Sequence, residues 1–162
     1  TPEEIRMLEE LAGDLAFGIT SLRIKALRIK AENDLRISEL RFHTVTDQNR
    51  DAIAFMDRDM KKLYVNTAFA ALTGVSQEDA VKMSGLELVH PEDKIKVKSL
   101  FVEILKNPGS RKSITYRILH ADGSCRWIES TGTNLLDDIS VGAVIVHSRD
   151  ITELKEASKK SI

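Results

Sequence analysis

An α+β domain preceded by one long helix is what this sequence predicts, with an antiparallel sheet whose helices gather on one face. Three observations carry the prediction. Helical apolar spacing runs from Ile5 past Leu40. From about residue 50 the texture changes to short alternating runs bounded by turn residues. The last third then holds three strand-like runs, the first two joined by an Asp-Gly turn at Asp122-Gly123. Two strands, several short helices and three strands, in that order, place the helices together on one side of an antiparallel sheet.

The long helix begins at Thr1-Pro-Glu-Glu4, where Thr1 can cap, Pro2 suits the first helical position and Glu4 can reach back to close a capping box. Ile5, Ala12, Ile19 and Ala26 then occupy one position of a heptad, and Leu8, Leu15, Leu22 and Ile29 the other. Asn33 falls on the next position of the first series, where a polar residue fixes register in a dimer at some cost in stability. Beyond it the stripe shifts phase through Leu35, Leu40 and Phe42. The same stripe would serve a helix lying on its own domain, although a helix this long has little domain to lie on. Gly13 and Gly18 each cost roughly 1 kcal/mol relative to alanine, which close packing against a neighbour would explain.

Ala52–Asp57 and Lys62–Asn66 read as two strands joined by a polar turn at Asp57-Arg-Asp59. A short helix follows, capped by Asn66 and stopped by Gly74, with Phe69 and Leu72 on its apolar side. Ser76 starts a second. Pro91 to Lys106 is the longest helix of this part, with Val97, Leu100, Phe101 and Ile104 on one stripe and a stop at Asn107-Pro-Gly109. The three closing strands are expected near 112–120, 124–135 and 141–149, and in the first of them Ile114, Tyr116 and Ile118 point one way while Thr115, Arg117 and Leu119 point the other.

Composition excludes several functions. A chain of 162 residues with 42% hydrophobic content makes one domain of ordinary size plus an appendage, which leaves a two-domain enzyme unexpected. Lys+Arg 24 against Asp+Glu 25 gives a formal charge of -1, no field for holding nucleic acid or an anionic membrane. Cys125 is the one cysteine, so neither an intrachain disulfide nor a cysteine zinc cluster can form, and a cytoplasmic location is expected. No run has the length of a membrane span and no signal peptide is visible. A start at Thr1 rather than methionine suggests a piece of something longer, whose output domain and any anchor would lie elsewhere.

The pattern of motifs resembles a PAS domain over about residues 36–155. The matching residues are Asn66-x-x-Phe69-x-x-Leu72-Thr-Gly74, His90-Pro-Glu-Asp93 at the start of the longest helix, Asp122-Gly-Ser-x-Arg-Trp127 in the hairpin and Arg149-Asp-Ile-Thr-Glu153 at the end. The resemblance implies a five-stranded sheet with helices enclosing a small cavity. Residues 1–35 would then be a signalling or coiled-coil helix that pairs two copies, and 156–162 the start of an output linker. Within the helix, Leu8 to Arg23 also resembles the last helix of a GAF domain, a segment that often leads into a following sensor.

If Ile114, Tyr116 and Ile118 face the helices, Ile128, Ser130, Val144, Val146 and Ser148 are their partners on neighbouring strands, closing against Phe69, Leu100 and Ile104. That set is an apolar chamber with a phenol and two hydroxyls, suited to a small ligand or simply to a filled core. The opposite face would expose Leu119, Trp127 and Ile145 beside Arg117 and His147, a patch for a partner helix such as residues 35–45. With Leu8, Leu15, Ile19, Leu22 and Ile29 these form the expected helix and dimer interface.

Catalytic and metal chemistry find little support. His43, His90, His120 and His147 are scattered, without the spacing of a metal site, and the best enzyme candidate would be a metal centre on His90, Asp93 and His120. No Gly-rich phosphate loop and no Gly-x-Ser-x-Gly elbow occurs. Haem-binding PAS relatives commonly use a histidine on the long helix, absent from Pro91–Lys106, and flavin-photochemical relatives a cysteine in an Asn-Cys-Arg-Phe-type motif that Cys125 does not match. No cofactor is assigned. Nor does His43-Thr-Val match the phosphoacceptor of a histidine kinase, so kinase activity would lie outside this stretch. Asp150 and Thr152 can cap the exit helix, and the resemblance implies that this Asp-x-Thr junction couples the last strand to it. The expected function is a sensory or regulatory module of a sensor-kinase-type protein in a two-component system, which relays a ligand or partner signal. The alternative is a ligand-free dimerisation or spacer module.

Overall fold

The computed structural model describes residues 1–160. The chain falls into two compact units, one from Thr1 to Thr44 and one beginning at Val45.

The first unit is helix α1 (Pro2–Gln48), whose last turn belongs to the second. Its start carries the expected capping box, with the Glu4 amide donating to Thr1 Oγ1 at 3.3 Å and the Thr1 ammonium to Glu4 Oε2 at 2.9 Å. Neither Asn33 nor the phase shift after it interrupts the helix. The predicted border at residues 35 and 36 is therefore crossed by continuous helix. Leu8, Leu15 and Leu22 of the seam are 66%, 67% and 68% exposed, and Leu11, Phe17, Ile24 and Leu27 lie equally open off the seam. A Cβ placed on Gly13 or Gly18 would touch nothing in this chain.

The second unit is built on five antiparallel strands, β1 (Ala52–Met56), β2 (Lys62–Val65), β3 (Arg111–Leu119), β4 (Cys125–Leu135) and β5 (Ala143–Asp150), in the spatial order β2-β1-β5-β4-β3. Helices α2 (Thr67–Thr73), α3 (Gln77–Ala80) and α4 (Lys94–Lys106) sit between the second and third strands, and α5 (Thr152–Lys160) leaves the last. Residues 161 and 162 of the expected output linker lie outside the described residues. Two strands, helices and three strands are thus the order that the turn signals and apolar periods predicted, and the fold class stands as an α+β sheet with a long N-terminal helix. Among the described residues no helix is long and apolar enough to cross a membrane.

Asn66 and Gly74 bound α2 as expected. The Asn66 side chain accepts from the Phe69 amide at 3.2 Å, and Gly74 takes φ 73, which its missing Cβ permits, and donates to the Ala70 carbonyl. The segment after His90 departs from expectation. Pro91–Asp93 forms a 3-10 turn, and α4 starts only at Lys94, without a side-chain cap. The carboxylate that would have capped it is held elsewhere: Asp93 takes the backbone N–H and the guanidinium of Arg117.

Candidate functional site

The sheet face beneath the helices carries two small cavities. One, of about 40 Å³, is lined by Phe69, Tyr116, Ile118, Ile128, Val146 and Ser148, together with Met56, Lys62 and Thr73 among others. The second, of about 50 Å³, is lined by Leu100, Ile104, Ile114, Tyr116, Ser130 and Val146, with Met60, Phe101 and Gly132. Met56, Gly85, Tyr116 and Val146 border both, so they form the partition between them. Each cavity has room for water, which needs roughly 10–15 Å³.

Strand register explains the lining. β5 pairs Ser148 with Ala52 on one side and Ser130 on the other, and Ser130 pairs with Ile114 on β3, so the four stand in one row across the sheet. The next row inward joins Ala54, Val146 and Gly132. Of the residues expected to face the chamber, only Val144 borders neither cavity; it is fully buried in the core with Met56, Phe101 and Ile104. The expected set omitted Met56, Met60, Gly85 and Gly132. A Cβ at Gly132 would lie 2.8 Å from Ile104 Cδ1, so a larger residue there would push the end of the Ile104 side chain aside.

The polar wall is a chain of hydroxyls, with Tyr116 Oη 3.0 Å from Ser130 Oγ and Ser130 Oγ 2.6 Å from Ser148 Oγ. It ties β3, β4 and β5 together within the cavity lining. Burial pushes the Tyr116 phenol above its ordinary range, against the opposing pull of the Ser130 and Ser148 hydroxyls.

Lys62 is a further lining residue that sequence reasoning missed, and the one that carries a charge. Its side chain turns inward, leaving the residue 4% exposed, while the neighbouring Leu63 is 53% exposed. Lys62 Nζ donates to the carbonyls of Ser84 at 3.0 Å and Met83 at 3.4 Å and stands 5.6 Å from the centre of the Phe69 ring. Burial lowers its pKa, partly offset by the negative charge of Glu87.

The other sheet face corrects the expected patch of Leu119, Trp127 and Ile145. Trp127 pairs with Arg117, whereas Ile145 pairs with Thr133 and Phe55. Thr133 is six residues further along β4, roughly 20 Å at the rise of a strand, so the three cannot form one surface. Nor is Trp127 open to water. Arg117 Cζ stands 5.4 Å from its ring and Lys155 Nζ of α5 stands 4.9 Å away, leaving it half-buried between two cations. Leu119 alone of the three is exposed, at 39%.

Arg117 in turn grips the start of α4. Its Nε and Nη2 donate to the two oxygens of Asp93 at 3.0 and 2.9 Å, and its backbone N–H adds a third bond at 2.8 Å. These bonds hold the Asp93 carboxyl at about 2, below its ordinary 3.8.

The strand that lines the cavities also forms the exit. Two residues past Ser148, Asp150 Oδ1 accepts from the Thr152 amide at 2.9 Å and the Thr152 hydroxyl at 2.6 Å. The Thr152 hydroxyl accepts in its turn from the Trp127 amide at 3.0 Å, and the Ile151 amide donates to the Trp127 carbonyl at 2.9 Å. The junction is therefore a clasp between β4 and the first turn of α5. Among the described residues no cluster of three His, Cys, Asp or Glu side chains is placed to hold a metal; His90 accepts from the Glu92 amide and His120 from that of Asp122.

Comparison with known proteins fits this geometry. Residues 62–159 match the family model described as PAS fold. The chain is 26% identical over 155 residues to the sensor histidine kinase TmoS of Ectopseudomonas mendocina, which covers 94% of this chain but 16% of that protein, so it spans a small part of the relative's length. Among solved structures it is similar to a PAS domain from Colwellia psychrerythraea, with 27% identity, a TM-score of 0.63, and coverage of 72% of this chain and 98% of that one. The PAS domain of an HTR-like protein from Haloarcula marismortui shares 20% identity and a TM-score of 0.65 over 75% of this chain and 98% of its own, a likeness of fold.

Proposed function

This chain belongs to the PAS fold family, and on that premise we propose that it is the sensory module of a cytoplasmic, sensor-kinase-type signalling protein. A small molecule taken up at the two cavities shifts β4 and β5, and the clasp at Asp150 and Thr152 hands the shift to α5. Residues 1–35 act as the signalling helix, following on from a GAF-like domain, 36–155 as the sensor, and the stretch from 156 as the start of a linker to an output domain. Catalysis belongs to that domain.

The observation that carries this reading is the continuity of β5, which has Val146 and Ser148 in the cavity wall and Asp150 at the exit. A ligand can move the exit helix only by binding its two arrangements unequally, so the test must read the helix as well as the binding. Trp127, the one tryptophan, is a built-in reporter because Lys155 of α5 stacks on it. A small molecule retained in a native mass spectrum, or found by screening, is expected to change Trp127 emission in the wild type. In Thr152→Val it should bind within about threefold of wild-type affinity while the emission change is lost. Binding with no change of Trp127 emission in the wild type would overturn the relay.

The small volume of the cavities favours one other reading, a spacer with a filled core. On that reading Ser148→Leu would lower stability and nothing else, whereas a sensor should lose ligand response and keep its assembly.

We also propose that α1 pairs two copies of the chain. A seam of leucines and isoleucines about four heptads long, exposed throughout in the single chain, supports it. Sedimentation of the whole chain should give a dimer, and Leu15→Glu with Leu22→Glu should give a monomer whose sheet unit keeps its melting temperature. A wild-type monomer at micromolar concentration would rule the pairing out.

A further inference from the structure

The smaller cavity carries an ammonium, Lys62, on which the charge of Glu87 acts without forming an ion pair among the described residues. Lys62 is 4% exposed, yet among the described residues no carboxylate comes within ion-pairing distance of its ammonium. Neither aspartate nor glutamate lines the cavity. Two of the three ammonium protons go to the Ser84 and Met83 carbonyls, no third hydrogen bond forms among the described residues, and the ammonium stands 5.6 Å from the centre of the Phe69 ring. A buried ammonium is costly unless paired, and carbonyls and a ring give it dipoles but no counter-charge.

The rest of the lining selects a shape. Phe69, Leu72, Val89, Ile118, Ile128 and Val146 are apolar, and the hydroxyl chain of Tyr116, Ser130 and Ser148 spends two of its three protons on its own two bonds, so one proton remains to donate to a ligand. Such a wall suits a molecule with an anionic acceptor at one end and a short hydrocarbon body. A cavity of about 40 Å³ before any adjustment limits that body to a few carbons, with Met56 in the partition as the side chain able to yield.

We propose that the ligand of this module is a short monocarboxylic acid, bound as its carboxylate against Lys62 with its hydrocarbon end toward Ile128 and Val146. The inference rests on the sensory reading above and narrows it to a ligand class. Lys62 is here a binding residue. Its two carbonyl partners come from the segment between α3 and α4, so the carboxylate would be felt on the helical side as well as along the sheet.

The test is a calorimetric titration of the whole chain with butyrate, butyramide and butylammonium, which match in size and differ in charge. Butyrate is expected to bind at least tenfold more tightly than butyramide, and butylammonium not at all. In Lys62→Met, a variant of similar length without charge, the preference for butyrate over butyramide should vanish while butyramide affinity holds. Should that variant fail to fold, butyrate must still shift the Lys62 ammonium signal in the NMR spectrum of the wild type, and butyramide must not. Equal affinities for butyrate and butyramide would overturn the carboxylate assignment and leave the sensory reading standing. Binding of none of the three at millimolar concentration would overturn the assignment; if screening also found no other bound small molecule, the sensory reading would fall with it.

Discussion

Asn66→Ala is expected to destabilise the chain by about 3 kcal/mol, near the upper end of single-site effects. Asn66 is fully buried and its amide joins three elements. Its Oδ1 accepts from the Ile53 amide of β1 at 2.9 Å and from the Phe69 amide of α2 at 3.2 Å. Its Nδ2 donates to the Thr46 carbonyl in the last turn of α1 at 2.8 Å and to that of Asp51 at 3.1 Å. Removing the amide takes this partner from the Ile53 N–H and the Asp51 carbonyl, at about 1–3 kcal/mol each where water cannot reach, while the Phe69 amide keeps the Asn66 backbone carbonyl at 3.2 Å and the Thr46 carbonyl keeps the Asn49 amide at 3.3 Å. Thermal unfolding should fall by roughly 10 °C for a chain of this size. Asn66→Asp, which keeps the acceptor and loses both donated bonds, should remain well below wild type. Ser76→Ala is the control, since it removes an exposed cap from α3 and should cost about 1 kcal/mol. Equal losses for Asn66→Ala and Ser76→Ala would mean that Asn66 is a helix cap and nothing more.

Asp93→Asn should lower stability by about 2 kcal/mol at neutral pH, because it replaces the charged partner of the Arg117 fork inside a largely buried contact. The pH dependence has a definite sign. The folded-state pKa of about 2 lies below the ordinary 3.8, so folding favours the ionised carboxyl. That stability is complete above about pH 4 and drains away as the pH falls toward 2. Asp122, also held at about 2 chiefly by hydrogen bonds from Ser124, acts in the same direction, so the variant should lose part of the acid dependence rather than all of it. Unfolding curves of wild type and Asp93→Asn should converge near pH 2. A constant gap between them from pH 7 to 2 would contradict the assignment. Because Arg117 also stacks on Trp127, the variant should change tryptophan emission in the folded state.

Much of the fold was legible along the chain because its signals are local. Asn66 before Phe69 and Gly74 after Thr73 bound a helix by backbone chemistry that needs no distant partner. The alternation from Ile114 to Leu119 set which residues of β3 face the helices, and the cavity lining follows from it through antiparallel register. The failures arose where that reasoning had to cross elements. Leu119, Trp127 and Ile145 share a sheet face, but Ile145 stands opposite Thr133, far along β4 from Trp127. Asp93 lies at the start of the longest helix by sequence, and only the fold brings Arg117, 24 residues away, to its carboxylate. Gly132 carries no signal of its own; only the approach of Ile104 gives it a role.

Lys62 and Leu63 mark the division most clearly. By hydropathy the leucine should be inside and the lysine outside, yet the structure reverses them. Strict alternation from Val65, which stands against Ala54 on the inner face, would turn Leu63 in and Lys62 out. A register shift between Phe55 and Met56 skips Leu63, sets Lys62 against Met56 and so turns the lysine inward. The sequence alone determined the elements, their order, their caps and the inward face of β3, since these depend on neighbours within a few residues. Tertiary structure decided where the buried cation stands, what covers Trp127 and what Asp93 grips, because each depends on strand register and on charges brought together from distant parts of the chain.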